Sequence, residues 1–550
     1  MLEKGTNLKD LVLDIQRAIF LFRVSLKFSI GPIIRHLLRL PQRGDSFATR
    51  IRLAMEELGL TYLKLGQYMA MRFDLLPPEI CNELSKLFES VSPMSFEEAR
   101  SVVEVELGGP LESLYSSFNR EPVASASVGQ VHEARTHANE RVAVKVQRPG
   151  IQHLLMADLR NLRRVAVLIN ASGVLGRLSA VEIAEQFAGW TIRELDFIIE
   201  ANTAERVRKN AMSYEIVPKI YWELTTSKVL TLEFLEGLSL SKLSQLVEEG
   251  GINRVHAYLP NLQLGVALHH FAFGLLGQMF VNGLFHGDPH PGNILIRDDN
   301  TVAFIDFGIF GELAGYDRDI IIGQIENIAI GNIDESLRYY SKQLIPTDET
   351  DLRVFQQEAK TVLTRWYQVS RKPDTPIEER HLGRCTTEMI NISRRNQMLY
   401  DMGYLLFWRA LNSLDAALLR LSDHSNSLVD ELRDFFGQTR PGFAHRVLGL
   451  MTDQHKATAV AELVREKPYD LMDILNGLDR GHYKCSLYIQ ESLRTQRAND
   501  ANTKWMTAGV LGISLAVLAI STSFSVPIRI LIIGLAILLF IFSFAEVRDR

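Results

Sequence analysis

The segment His286-Gly-Asp-Pro-His-Pro-Gly-Asn293 sets a carboxylate, Asp288, and an amide, Asn293, five positions apart, directly before the apolar run Ile294-Leu-Ile296. A turn at Asp298-Asp-Asn300 leads into a second apolar run, Val302-Ala-Phe-Ile305, which ends in Asp306-Phe-Gly308. Two short strands joined by a tight turn bring Asp306 back beside Asn293. A carboxylate and an amide placed there can hold Mg²⁺ against phosphates, because this hard cation takes oxygen ligands. Asp288 is then the carboxylate able to accept a proton from an attacking hydroxyl or water. Upstream, Arg141-Val-Ala-Val-Lys-Val146 alternates, with Val142, Val144 and Val146 on one strand face and Ala143 and Lys145 on the other. A lysine on a half-buried strand is costly unless paired. Its partner is expected on the following helix, Glu200 first and Glu194 second.

The interval from Asp288 to Asn293, followed by Asp306-Phe-Gly308, is that of a kinase catalytic loop and its metal motif. In that arrangement Ala143 lies over adenine and Lys145 reaches the phosphates. Leu230-Thr-Leu-Glu-Phe-Leu-Glu-Gly237 reads as a strand and hinge, with backbone groups near Glu233 and Leu235 meeting adenine. The loop that should cover the phosphates is alanine-rich: Ala124, Ser125, Ala126, Ser127 and Val128 precede Gly129, to which the sequence assigns no role. Alanine lacks glycine's access to positive φ, so this loop should be stiffer than a glycine-rich one. Taken singly, Asp288 could be a turn residue and Asp306 a strand-end acid; both in this order and spacing favour a site for ATP and Mg²⁺.

The elements that must position these groups alternate in character. Residues 46–106 have helical periodicity, 111–145 short strand patterns, and 152–208 long helical patterns. Val229–Phe234 reads as a further strand, and helices follow the motif region. The expected fold is α+β and two-lobed, like a protein kinase. The expected division is 1–45 (amphipathic helix), 46–108 (helical extension), 109–237 (N-lobe), 238–440 (C-lobe), 441–504 (helical linker) and 505–545 (two membrane spans).

With 550 residues, 47% of them hydrophobic, the chain can bury more than one core. A net charge of −5 supplies no global basic field, which argues against nucleic-acid binding. Cys81, Cys385 and Cys485 lie too far apart for metal-ligand spacing, and a disulfide framework is not expected. The uncharged run 506–524 and the apolar run 526–544, interrupted by Pro527 and Arg529, each match the roughly 20 residues of a spanning helix. Their short link suggests a hairpin. Arg494, Arg497 and Lys504 before it, and Arg548 and Arg550 after it, place both flanks in the cytoplasm. Near the start, Leu11, Ile15, Ile19, Phe22 and Leu26 share one helical face among basic residues. That face suits either a membrane surface or packing on the main domain.

Two further motifs do not fit an ordinary protein kinase: Lys64-Leu-Gly-Gln67, whose polar residues share a helix face, and Glu194-Leu-Asp196. With the alanine-rich loop and the kinase-type metal motif, they resemble the UbiB family of atypical kinase-like proteins, from about residue 50 to 310. The paired C-terminal runs resemble those of its bacterial members. The resemblance implies that Lys64 and Gln67 fold over the place where a protein substrate would bind. It implies that Lys64 pairs with Glu194 or Asp196, and Lys145 with Glu200. It also implies a membrane-anchored ATPase or atypical kinase supporting ubiquinone biosynthesis. Membrane lipids, quinone precursors and other biosynthetic proteins would be its partners, at the bacterial inner membrane with the kinase-like part in the cytoplasm. A small-molecule or lipid phosphotransferase and a non-enzymatic nucleotide-binding scaffold are the alternatives.

Overall fold

The computed structural model describes residues 8–37, 46–72, 75–88, 93–172, 179–346, 350–372, 374–421 and 428–440. The runs 506–524 and 526–544 and the linker 441–504 lie outside the described residues.

The N-terminal lobe is built on β1 (Ser117–Phe118), β2 (Ala124–Ser125), β3 (Gly129–Arg135) and β4 (Arg141–Gln147), extended by a later strand, Val229–Glu233. β3 and β4 form an antiparallel hairpin, and Asn139 turns the corner with φ 64°, a conformation asparagine tolerates better than most residues. The valine alternation of β4 is realised. Val142, Val144 and Val146 are fully buried against Ala99, Val103, Leu111 and Tyr115. Ala99 and Val103 come from the helix Phe96–Leu107, which opens with a Ser95/Glu98 capping box and closes on Gly108 in the left-handed region. Lys145 therefore points away from that core. Gly129 has a structural role after all: a Cβ there would sit 2.3 Å from the Val146 carbonyl oxygen, so only glycine lets β3 approach β4 at the mouth of the loop.

In the C-terminal lobe, β5 (Glu215–Ile216) pairs in parallel with a strand that arrives much later in the chain. With β6 as the Val229–Glu233 strand already described and β7 as Leu238–Ser239, the next three strands are β8 (Leu284–His286), β9 (Ile294–Ile296) and β10 (Val302–Phe304). The small sheet runs β5-β10-β9-β7, and β8 pairs separately with β11 (Phe310–Glu312). β9 and β10 are the hairpin read from the sequence, with Asn300 at φ 65° in its turn. Beneath lies the helix Leu264–Gly277, continued by a π turn over Gln278–Asn282. Among the described residues this is the one segment long and apolar enough to cross a membrane, but about two-thirds of it is buried inside the lobe. Phe271, Leu275, Leu276 and Met279 are core residues. Around it pack the helices Gly315–Ile330, Met402–Leu421 and Leu428–Thr439.

The extension consists of the helices Phe47–Leu58 and Leu60–Ala70, broken at Gly59 (φ 91°), and the shorter Pro78–Leu84. The first helix, Leu8–Leu37, is held to them by a buried cluster. Arg17 donates to both oxygens of Asp158 at 2.7 and 2.8 Å, and Thr61 Oγ1 donates to the same carboxylate at 2.5 Å. Val24 faces inward, while Ile15, Ile19, Phe22 and Leu26, joined by Val12, form an exposed stripe on the opposite side. The apolar face expected from the sequence is thus the outer one. The second unit, in its described part, is the C-terminal part of the Ile151–Ser172 helix and the start of Ala180–Glu194. Arg163–Glu185 (2.8 Å) and an Asn170 cap on Ala180 N–H (2.7 Å) join the two.

Candidate active site

β4 carries Lys145 to the cleft, and the helix Phe197–Asn210, capped by Asp196, presents Glu200 to it. Lys145 Nζ donates to both Glu200 oxygens at 2.8 Å and lies 3.9 Å from Asp306 Oδ1. Burial acts to lower its pKa, but Glu200 and Asp306 outweigh it and hold the ammonium above the ordinary lysine range. The first-choice partner from the sequence, Glu200, is the one the fold supplies.

The loop after β8 places the remaining groups. Asn293 Nδ2 donates to Asp306 Oδ2 at 3.3 Å, and Gly308 N–H donates to Asp306 Oδ1 at 3.1 Å. The Asn293 amide oxygen has no protein partner among the described residues. His286 is fully buried, and burial pushes its imidazole below the usual value. Its Nδ1 accepts the Asp288 N–H at 3.2 Å, so the ring braces the loop as a neutral group. His290 Nδ1 likewise accepts Gly292 N–H at 3.2 Å.

Asp306 and the Asn293 oxygen form a small, all-oxygen donor set. No group of three His, Cys, Asp or Glu side chains suited to a metal occurs among the described residues. That chemistry fits Mg²⁺, which binds through one or two protein oxygens together with phosphates rather than in a protein cage.

Beside this cleft, the Leu60–Ala70 helix buries Lys64 in an ion pair with Glu194 and 5.7 Å from the Trp190 ring. Lys64 acts electrostatically on Asp306, and Glu194 on Lys145. Gln67 does not join them: its side-chain amide Nε2 donates to the Leu87 carbonyl at 3.0 Å, tying the extension to itself. Asp196 is an N-cap, accepting Ile198 N–H at 3.0 Å. The alanine-rich loop is the β2–β3 hairpin turn. Ser127 and Val128 are buried, and Arg148 grips the loop through Ala126 O (3.3 Å) and Ser125 Oγ (3.0 Å). At the hinge, Glu233 N–H is already bonded to Lys219 O at 2.8 Å, whereas Leu235 N–H has no protein partner among the described residues. Of the two hinge positions, Leu235 can donate to a ligand and Glu233 N–H cannot.

Residues 86–339 match the family described as the ABC1 atypical kinase-like domain. The chain carries an ABC1 atypical kinase-like domain. The resemblance to the UbiB family drawn from the motifs agrees with this match. The Arabidopsis thaliana protein "ACTIVITY OF BC1 COMPLEX KINASE 7, chloroplastic" is 30% identical over 475 residues, 83% of this chain and 64% of that protein. An uncharacterized Synechocystis protein is 29% identical over 474 residues, 84% of this chain and 77% of the relative. The Arabidopsis "ACTIVITY OF BC1 COMPLEX KINASE 8, chloroplastic" is 35% identical over 301 residues, 53% of this chain and 38% of that protein. The chain thus spans less than two-thirds of the length of both chloroplastic relatives. A Mycobacterium tuberculosis protein solved in complex with erythromycin has a TM-score of 0.48 and 23% identity, covering 76% of this chain and 100% of that one.

One polar partner inside the ABC1 cleft has no motif of its own. Arg409, from the Met402–Leu421 helix, donates to Asp288 Oδ1 at 2.6 Å. It lies 121 positions from Asp288, and only an unpaired carboxylate in the loop signals that some cation must arrive.

Asp306 also sets a pH dependence. Burial would raise its carboxyl, but Lys145 and the Gly308 N–H outweigh that and leave it below the ordinary range. A carboxyl so depressed stabilises the fold above its unfolded value and loses the contribution as pH falls through its folded value. Wild type should therefore lose stability relative to Asp306→Asn as pH drops below about 4, as read by urea unfolding across pH. Parallel curves down to acid pH would contradict this.

Proposed function

We propose that the chain is an Mg²⁺-dependent ATPase of the ABC1 type, working at a bilayer on behalf of a lipophilic isoprenoid quinone precursor. The observation that carries the ATPase reading is the buried Lys64–Glu194 pair beside the Lys145–Glu200 pair. Lys145, fixed by Glu200, orients the phosphates of ATP. Asn293 and Asp306 would hold Mg²⁺, which neutralises charge on the phosphate oxygens when bound. Asp288 takes the proton of the nucleophile. The extension closes the side on which a polypeptide acceptor would lie, so water or a small acceptor is the group that fits.

The membrane and quinone parts rest on the UbiB resemblance, on the apolar runs 506–524 and 526–544, and on the outward stripe of the first helix. Beside that stripe the exposed cation Arg23 suits anionic headgroups, while Lys27 is paired with Glu57 at 2.6 Å. The placement follows: inner membrane of a bacterium, with the ABC1 domain on the cytoplasmic side. Transfer of phosphate to a small-molecule or lipid hydroxyl is the second reading, because Asp288 would serve either nucleophile.

Labelled ATP incubated with the full chain, Mg²⁺ and vesicles carrying a prenylated phenol separates these readings. Label released as inorganic phosphate, faster with vesicles than without, supports the ATPase. Label recovered on the lipid supports phosphotransfer. No turnover under either condition removes both.

A further inference from the structure

We propose that Arg409 is a positioning residue for ATP hydrolysis, holding Asp288 by one oxygen so that the other meets the attacking water. The inference rests on the role given to Asp288 above. Arg409 lies outside residues 86–339, the stretch that matches the ABC1 family. The pair is largely buried, with the arginine side chain 19% exposed and the aspartate 11%. Arg409 Nη2 takes Asp288 Oδ1, and Oδ2 has no protein partner among the described residues. A carboxylate pinned at one oxygen by a guanidinium keeps one acceptor free, in a fixed direction.

The packing shows how the arginine is delivered. The Met402–Leu421 helix packs against the catalytic loop at Gly287. A Cβ there would lie 3.3 Å from Leu406 Cδ2 and equally near Ile309 Cγ2 and Gly311 N. Glycine therefore admits the helix, and Arg409 follows Leu406 by one turn on the same face. The helix is fixed in rotation by Tyr404 O–H donating to Asp317 at 3.0 Å and by Phe407 packing edge-on to Phe285. Arg409 is thus held by a rigid element and not by a mobile side-chain contact on the surface.

In the step itself, water oxygen bonds to the γ-phosphorus and the bond to the bridging oxygen of ADP breaks. The water proton passes to Asp288 Oδ2 and later leaves to solvent, with ADP and phosphate as products. Arg409 contributes to this step through the Asp288 carboxylate that it holds.

The test uses the full chain as wild type, Arg409→Ala, Asp288→Asn and the double variant. Arg409→Ala should lower kcat for ATP about 10- to 100-fold, while ATP affinity stays within about twofold. Guanidinium ion at non-denaturing concentration should restore part of the Arg409→Ala rate and none of the Asp288→Asn rate. In the Asp288→Asn background, Arg409→Ala should change nothing further. A rate within about twofold of wild type, or losses that multiply in the double variant, would overturn the proposal. Normal turnover by Asp288→Asn would overturn the role of Asp288 itself, and this proposal with it. If Arg409→Ala loses ATP binding altogether, Arg409→Lys is read in its place. Intermediate turnover with intact ATP binding is then expected, and loss of binding there too assigns Arg409 to the fold alone.

Discussion

Asp306→Asn is expected to reduce Mg²⁺-dependent ATP turnover by about 10³-fold or more, with the fold intact. The substitution keeps the size of the side chain and an oxygen that can still accept from Gly308 N–H, the contact now made at 3.1 Å. What it removes is the negative charge, on which both Mg²⁺ and the Lys145 ammonium depend. Lys145 lies 3.9 Å from Asp306 Oδ1 and would keep only Glu200 as its charged partner. The loss should therefore appear in turnover and in the dependence on Mg²⁺ concentration, and thermal unfolding near neutral pH should fall by the amount that the depressed Asp306 carboxyl contributes there. Phosphate release assayed over a Mg²⁺ series measures this. Turnover equal to wild type at every Mg²⁺ concentration would show that Asp306 is not a metal ligand.

Lys145→Met should produce the largest stability loss of any single change in the cleft, about 3–5 kcal/mol. Glu200 is 6% exposed, and its two oxygens both bond to Lys145. Methionine fills most of the lysine's volume but leaves that carboxylate buried without a counter-charge, and burial already acts to raise its pKa. The remaining route is protonation of Glu200, so the variant should unfold less readily as the pH is lowered toward 5. Adding Glu200→Gln to Lys145→Met should recover much of the loss, because the stranded charge is gone. ATP affinity should stay weak in both, since neither restores a cation to the phosphates. Chemical denaturation of the two variants separates the effects. Equal stability of wild type and Lys145→Met would mean that the pair contributes nothing to the fold.

Much of this site was legible before any coordinates. The alternation of Val142, Val144 and Val146 fixes which face of β4 carries Lys145, because a strand has a period of two and one face must be buried. The run from Asp288 through the Asp298-Asp-Asn300 turn to Asp306 is local. Hairpin geometry alone brings Asn293 and Asp306 together, as their 3.3 Å contact shows. The Lys64–Glu194 pair came from a family likeness and not from spacing, since nothing in the periodicity of either helix says that they meet.

What the sequence did not yield depends on packing between distant elements. Arg409 reaches Asp288 from a helix that packs tightly on Gly287, and neither residue belongs to a periodic pattern that would flag the other. Gly129 belongs to no motif read from the sequence, yet a Cβ there would lie 2.3 Å from the Val146 carbonyl oxygen, which excludes any side chain. Gln67 shares a helix face with Lys64, yet its amide donates to the Leu87 carbonyl. The first helix has apolar residues on two sides. Periodicity could identify them, but the inward choice of Val24 was made by the Arg17–Asp158 anchor. The Leu264–Asn282 segment carries the composition of a membrane span and is instead the core of a lobe, because composition does not say what surrounds a helix.

The central claim is that Lys145, Asp288, Asn293 and Asp306 line one cleft that takes ATP together with a divalent cation. Equilibrium titration of the purified full chain with a non-hydrolysable ATP analogue, with Mg²⁺ and again with excess EDTA, tests it most directly. The account predicts one nucleotide bound per chain with Mg²⁺ present, and affinity at least about tenfold weaker after chelation. Binding that is absent in both conditions, or identical in both, would contradict it.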